Sequence, residues 1–329
     1  MTSLVHGGRL DAAIAARGGL KRQWLDLSTG INPTSWPVPE LPQALWHRLP
    51  DDEDEAAARE AARHAYAAPD DAGIVVAPGT QAIIQALPAL LAPQPVAIVG
   101  PTYGEHARCW ARAGHEAMVT DGIASAEASA RVVVIVNPNN PSGRRIGADR
   151  LVALAKWLGA RGGWLVVDEA FADVAPQISV ADHAGRDGLV VLRSLGKFYG
   201  LAGARVGFAL TSRAMAARLR EAFGPWAVGA PALAIAAGAL ADRVWAKRMQ
   251  RILAIRRGEL ESVLEEAGLE LVGSTDLFVT VRHKEASALA ERLLDARILV
   301  RSFPEERSQL RFGIPGGQRA LARLAAALA

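Results

Sequence analysis

The sequence predicts an α/β protein: an open, doubly wound domain with a mostly parallel sheet, followed by a smaller α+β domain. Three observations predict it. Short β-branched runs at 74–76, 96–99, 132–136, 164–167, 189–192 and 206–210 lack polar alternation, as strands buried on both faces do. Ala/Leu/Arg-rich stretches of helical character separate them at 81–91, 105–113, 148–160 and 213–223, and residues 116–120 offer a further strand. After residue 241 the pattern changes. A long amphipathic helix over 242–267 leads to apolar runs at 277–281, 298–300 and 310–312, and then to a final Ala/Leu helix. The first 40 residues, rich in Gly and Pro, read as an arm packing on the smaller domain. The expected organisation is therefore an arm over 1–40, a large domain over 41–225 and a small domain over 226–329.

Composition narrows the class. The 329 residues suffice for two structural units, and 50% hydrophobic with 22% charged residues is globular composition. The isoelectric point is about 9.3, yet the net charge is only +3. The longest run of like charge is acidic, over 51–55, and arginines are scattered, so no nucleic-acid partner is expected. A lone Cys109 excludes an intramolecular disulfide and suits a reducing compartment. No basic and apolar leader follows Met1, so a cytoplasmic protein is expected. The uncharged stretch 225–241 consists mostly of Ala and Gly and contains Pro225 and Pro231. It reads as a tightly packed helix after a loop, and no membrane partner is expected.

In doubly wound sheets the functional loops leave the carboxyl ends of the strands. The polar residues there are Gly79 and Thr80, Tyr103, the segment 137–143, Asp168 and Glu169, and Ser194 to Lys197. Of five lysines, only Lys197 follows a buried-strand pattern and sits among Gly and aromatic residues. A lysine amine becomes nucleophilic when desolvation or a cationic neighbour such as Arg205 depresses its pKa. On its own it could equally be a surface loop lysine.

The other loops add to it. Asp168, ending a strand, can keep a pyridinium nitrogen protonated, although a lone Asp there also suits a helix cap. The turn Asn139-Asn140-Pro141-Ser142-Gly143 presents an amide that can donate to a phenolic oxygen. Gly79-Thr80-Gln81 opens a helix after a strand, where backbone N–H groups and a hydroxyl can cradle a phosphate. Ser194 and Arg205 can complete that cradle. Tyr103 can stack on an aromatic ring or simply fill a half-buried position. No metal-ligand set is visible in the sequence.

Taken in order, Pro78-Gly79-Thr80-Gln81, Pro101-Thr102-Tyr103, Asn139-Asn140-Pro141-Ser142-Gly143, Val167-Asp168-Glu169-Ala170-Phe171, Ser194-Leu195-Gly196-Lys197 and Ala204-Arg205-Val206-Gly207 resemble one family. It is the fold-type-I pyridoxal-5′-phosphate (PLP) enzymes of the aspartate/histidinol-phosphate aminotransferase group. The resemblance covers most of the chain. It implies the fold-type-I transferase fold, with a mostly parallel seven-stranded sheet in the large domain. It implies PLP as cofactor, with Lys197 as its Schiff-base lysine and acid/base catalyst. Asp168 would pair with the pyridine nitrogen and Asn140 with the phenolic oxygen, while Tyr103 stacks on the ring. Thr80, Ser194 and Arg205, with Gly79 and Gln81 in the same turn, would bind the phosphate. Arg311 stands where the family grips a substrate carboxylate, and a homodimer is expected.

The termini narrow the resemblance. His6-Gly7-Gly8-Arg9, the segment 25–33, Pro225-Trp226-Ala227-Val228 and Ile298-Leu299-Val300-Arg301-Ser302 are similar to the threonine-phosphate decarboxylases of cobalamin biosynthesis. That similarity implies a small phosphorylated amino acid as substrate, with His6, Asn32 and Arg301 around its phosphate. An imidazole, an amide and a guanidinium suit a dianion. The alternative is an aminotransferase of histidinol phosphate or a related amino acid, which shares every cofactor residue. A catalytically silent binding protein is the remaining reading, opposed by the intact set Lys197, Asp168 and Asn140. Two positions depart from the wider family: Phe171 where many aminotransferases carry tyrosine, and Leu49 where relatives often have a tyrosine that reaches the neighbouring subunit's cofactor.

Overall fold

The computed structural model describes residues 7–329. Its strands are β1 (Leu25–Asp26), β2 (Gly73–Ala77), β3 (Pro95–Val99), β4 (Glu116–Thr120), β5 (Val132–Val136), β6 (Trp164–Asp168), β7 (Leu189–Ser194), β8 (Gly207–Thr211), β9 (Glu270–Thr275), β10 (Phe278–Arg282), β11 (Ile298–Leu299), β12 (Arg301–Ser302) and β13 (Gln309–Gly313). The chain divides into two compact units, residues 36–140 with 145–246, and residues 1–35 with 141–144 and 247–329.

The larger unit is built on a seven-stranded sheet of order β2-β8-β7-β6-β5-β3-β4. Only β8 runs antiparallel to its neighbours; β7, β6, β5, β3 and β4 pair in parallel. The central strands are β-branched because helices cover both faces. Every residue of β5 and β7 is buried, and each such Val or Leu side chain contributes about 1.5–3 kcal/mol of transfer free energy. Strand β4, at a sheet edge, is the exception: its residues are exposed or half-buried.

Local rules account for the helices. The acidic run 51–55 is a helix start. Asp51 caps Asp52–Tyr66 by accepting from the Asp54 N–H, four carboxylates occupy the first turn, and Arg63 and His64 the last. This helix buries Ala58, Ala62 and Tyr66 at a spacing of four, and it packs against the Ala-rich helix Ala230–Ala241. The expected helix over 81–91 stops early. It is α-helical over Thr80–Ala86 and tightens to a 3-10 turn over Leu87–Leu90, where Pro88 supplies no N–H. Among the described residues no helix is long and apolar enough to cross a membrane.

The unit boundaries differ from 40/41 and 225/226. Residues 36–40 and 226–246 belong to the larger unit. Trp36 is the reason at one end: its indole N–H donates to Asp242 Oδ2 at 3.2 Å, and its ring fills the space above Gly238. At the other end Trp245 stacks on Tyr199, with centroids 5.6 Å apart. An Ala-rich helix such as Ala230–Ala241 has little amphipathic pattern from which to read its partner.

The smaller unit pairs β1 with β11 in parallel and builds an antiparallel sheet of order β12-β13-β10-β9. The run expected at 298–300 thus gives the two-residue β11, and β12 follows Val300 with a different partner. Residues 141–144 lie flat on β9: a Cβ on Gly273 would come 2.1 Å from Ser142 O, and one on Gly143 2.5 Å from Ser274 O. Thr280 Oγ1 donates to Pro141 O at 2.6 Å.

Candidate active site

In the larger unit, the cofactor residues expected from the sequence lie at one edge of the sheet. Lys197 is in the turn after β7, and Asp168 ends β6, the adjacent parallel strand. Lys197 is half-buried; its Nζ lies 5.3 Å from the centroid of the Phe171 ring, which is buried. An apolar ring at that distance offers the amine no hydrogen-bonding hydroxyl.

Asp168 is gripped at both carboxylate oxygens. Oδ1 accepts from the Ala170 N–H at 3.0 Å, the turn-capping contact that its position after a strand suggests. Oδ2 lies 2.9 Å from His106 Nε2. An ionised carboxylate only accepts, so Nε2 is the donor. His106 is fully buried and was not legible as a site residue. The available signal was its spacing: it follows Tyr103 by three residues, in the turn that enters the helix Glu105–Arg112 and in which the His106 N–H donates to Tyr103 O at 3.2 Å. Their rings meet edge to face at 6.0 Å.

Tyr103 donates its hydroxyl to Gln81 Oε1 at 3.0 Å, and Gln81 Nε2 reaches Glu105 Oε2 at 3.3 Å. The Gln81 side chain therefore orients Tyr103. Burial, then the charges of Glu105 and Asp168, push the phenol up to about 12, so it keeps its proton at neutral pH.

The turn after β2 is shaped by glycine. Gly79 has φ 80° and ψ 159°, a region almost confined to glycine. A Cβ there would fall 2.5 Å from Arg205 Nη2, and a Cβ on Gly207 only 2.4 Å from the Thr80 nitrogen. Backbone thus meets backbone where β8 begins, bringing Thr80 and the exposed Arg205 side by side. Ser194 is buried at the end of β7, its Oγ accepting from the Gly196 N–H at 3.2 Å. Asn140 lies within a loop clasped by Asn137. The Asn137 Nδ2 donates to Ile146 O at 3.0 Å, and its Oδ1 accepts from Ile146 N at 2.9 Å. Asn139 Nδ2 ties the same loop to Pro101 O at 3.0 Å.

The smaller unit holds Asn32, Arg301 and Arg311; His6 lies outside the described residues. Arg301 and Arg311 are directly opposed across β12 and β13. Arg311 is buried, donates from Nη2 to Ser28 O at 2.8 Å and lies 5.0 Å over the Phe278 ring. Burial, then the like charge of Arg301, lower its pKa below the ordinary guanidinium value. Two neighbouring guanidiniums, one of them desolvated, call for anionic ligands. Asn32 is buried, its Oδ1 accepting from Thr34 N at 2.9 Å. Gly7 and Gly8 pack on the same segment: a Cβ on Gly7 would meet Ser28 O at 2.3 Å, and the Gly8 N–H donates to Ser28 Oγ at 2.8 Å.

The donor set of the larger unit suits a phosphorylated pyridine aldehyde. It offers an amine, a braced carboxylate, an amide, two hydroxyls and a permanent cation beside a glycine-shaped turn. Among the described residues no group of three or more His, Cys, Asp or Glu could hold a metal ion.

The model of the aminotransferase class I and II family matches residues 46–328. The chain belongs to that family. Among class I and II aminotransferase relatives, a threonine-phosphate decarboxylase from Sinorhizobium sp is 44% identical over 331 residues, covering 99% of this chain and 98% of that protein. One from Pseudomonas aeruginosa is 41% identical over 330 residues, covering 99% and 97%. The fold is that of the histidinol-phosphate aminotransferase from Sinorhizobium meliloti solved in complex with pyridoxal-5′-phosphate. That structure has a TM-score of 0.83 at 23% identity, covering 99% of this chain and 94% of that one. The family's cofactor, PLP, is the cofactor of this chain.

Proposed function

We propose that this chain decarboxylates L-threonine O-3-phosphate to (R)-1-amino-2-propanol O-2-phosphate and carbon dioxide, a step of cobalamin biosynthesis. The observation that carries the reading is the 44% and 41% identity, along nearly the whole chain, to threonine-phosphate decarboxylases. The adjacent Arg301 and Arg311 support it, because a substrate with both a carboxylate and a phosphate is matched by two cations.

Bound PLP supplies an electron sink for whichever bond at the substrate Cα stands perpendicular to its ring. Asp168, held by the Ala170 N–H and His106, would pair with the ring nitrogen. Asn140 donates its amide to the phenolic oxygen, and Tyr103 covers the ring. Thr80, Ser194 and Arg205 hold the phosphate in the turn formed by Gly79, Thr80 and Gln81. Lys197 Nζ would hold the cofactor and would return a proton to the substrate Cα. Arg311 takes the substrate carboxylate, and Arg301, Asn32 and His6 take its phosphate. Holding both anions would fix how the substrate Cα is presented to the ring, and that orientation decides whether the carboxylate or the Cα–H bond is cleaved. On this reading the larger unit is the cofactor domain and the smaller unit the substrate-anchoring domain.

The assembly we infer is a cytoplasmic homodimer. Trp46, Leu49 and Trp226 expose 62%, 61% and 60% of their surface on the larger unit. Trp226 also lines a cavity of about 530 Å³ with Pro50 and Phe223, and exposed apolar patches of this kind mark interaction surfaces.

The test is incubation of holoenzyme with threonine phosphate and no keto acid. Stoichiometric carbon dioxide release is expected. Accumulation of pyridoxamine phosphate instead, with 2-oxoglutarate-dependent turnover of histidinol phosphate, would replace this reading with the aminotransferase one.

A further inference from the structure

Behind the strand ends that carry Asp168 and Ser194 lies a buried ionic cluster. Side chains alternate along a strand, so Glu169 and Arg193 leave the sheet on the face opposite Asp168 and Ser194. Arg193 Nη1 donates to Glu169 Oε2 at 2.7 Å, and its Nη2 donates to Asp173 Oδ1 at 2.7 Å. Glu169 also accepts from Ser179 Oγ at 2.5 Å and from Val180 N at 2.8 Å. The guanidinium lies 4.1 Å over the Tyr66 ring. Exposure is 3% for Arg193, 0% for Glu169 and 7% for Asp173.

Three charges are costly to bury, and well-packed apolar residues of similar volume often stabilise a fold as well. A planar guanidinium fork does something apolar packing does not: it sets the distance and angle of both groups it binds. Those two groups adjoin the cofactor residues. Glu169 is bonded to Asp168, Asp173 lies two residues beyond Phe171, and Arg193 is bonded to Ser194, four residues before Lys197. Burial raises the pKa of both carboxylates, and their charges hold Arg193 protonated against its own desolvation.

We propose that Arg193 is a positioning residue for the cofactor site: its fork locks the end of β6 to the end of β7 and so sets Asp168 relative to Ser194 and Lys197. Arg193 has this role only if those three residues hold PLP, as read above, and has it whichever reaction the cofactor serves.

The test compares full-length wild type, Arg193→Lys and Glu169→Gln after cofactor removal. Each is titrated with PLP, and far-ultraviolet and visible circular dichroism and thermal midpoints are recorded. A lysine keeps the charge but lacks the planar fork that reaches Glu169 and Asp173 from two separate nitrogens. Arg193→Lys is expected to weaken PLP binding roughly tenfold, the scale reached when outer partners of ligand-holding residues are removed. It should also change the visible dichroism of the bound cofactor while the far-ultraviolet spectrum stays native. Should Arg193→Lys not fold, Glu169→Gln, which keeps shape and loses one charge, decides on the same two readouts. A lower thermal midpoint with wild-type PLP affinity and visible dichroism in the folded variant would mean a purely structural cluster and overturn the proposal. A wild-type protein that takes up no PLP would remove the cofactor assignment itself, a failure visible before any variant is compared.

Discussion

His106 Nε2 lies 2.9 Å from Asp168 Oδ2, and both side chains are buried. Because Oδ1 is already engaged by the Ala170 N–H, the imidazole fixes the rotation of the carboxylate and holds it away from water. Replacing His106 with Ala should lower kcat and PLP affinity by roughly ten- to a hundredfold, the usual range for an outer partner of a ligand-holding residue. Steady-state kinetics and PLP titration check this; wild-type values for both would leave the imidazole a packing role only.

Gly79→Ala should cost both fold and cofactor. The new Cβ would fall 2.5 Å from Arg205 Nη2 at a residue with φ 80°, and such backbone costs about 1–3 kcal/mol for a non-glycine residue. A lower thermal midpoint and weaker PLP binding are expected. Gly147→Ala, where nothing lies within 4 Å, should leave both nearly unchanged. Equal behaviour of the two variants would contradict the steric account.

Arg301 and Arg311 should separate by substrate. A hydrogen bond to a charged group is worth about 1.5–3 kcal/mol, so losing one should raise KM roughly 10- to 150-fold. Arg301→Ala should raise KM for threonine phosphate and leave the weak binding of unphosphorylated threonine unchanged. Arg311→Lys should weaken both. The reverse pattern would exchange the roles of the two guanidiniums.

Lys197→Ala should abolish turnover, by on the order of 10³-fold or more, since the proposed covalent hold and proton donor would both vanish. The variant should still bind PLP through its phosphate, with the visible band of the lysine-bound form missing. Near-normal turnover would end the proposed chemistry.

The chain's three tyrosines should make it sensitive to alkali. Burial raises Tyr66, Tyr103 and Tyr199 above the ordinary value of 10, Tyr103 to about 12. Above about pH 10 the unfolded chain releases these protons first, so the folded state binds more of them and stability falls as pH rises. Tyrosinate absorbance should therefore appear together with unfolding. Tyr103→Phe should reduce the loss, and stability that stays flat across this window would refute the assignment.

The larger unit's fold was legible because buried parallel strands leave an uninterrupted β-branched signal, and β5 and β7 are buried throughout. The loops proposed to hold the cofactor stood out in the sequence because Gly, Asn-Pro and a lysine at strand ends are chemically unusual there. His106 was not, since one histidine on a helix has no local signature and its partner lies 62 residues away. The Arg193 cluster left a faint trace, an arginine inside an apolar strand followed in space by the Glu of the next one. The boundary near residue 246 left none, because the Ala-rich helix before it presents nearly the same surface all round.

Strand β2 pairs only with β8, more than 130 residues later in the chain. Gly79 and Thr80 follow the first of these strands, and Arg205 and Gly207 border the second. During synthesis the first half of the turn proposed to hold the phosphate is therefore made early and stands without its counterpart until β8 has emerged and zipped into place. Pairings so distant form slowly because the intervening loop must be closed first. With the phosphate held as proposed, cofactor capture becomes a late event, open to a chain whose central sheet has already closed.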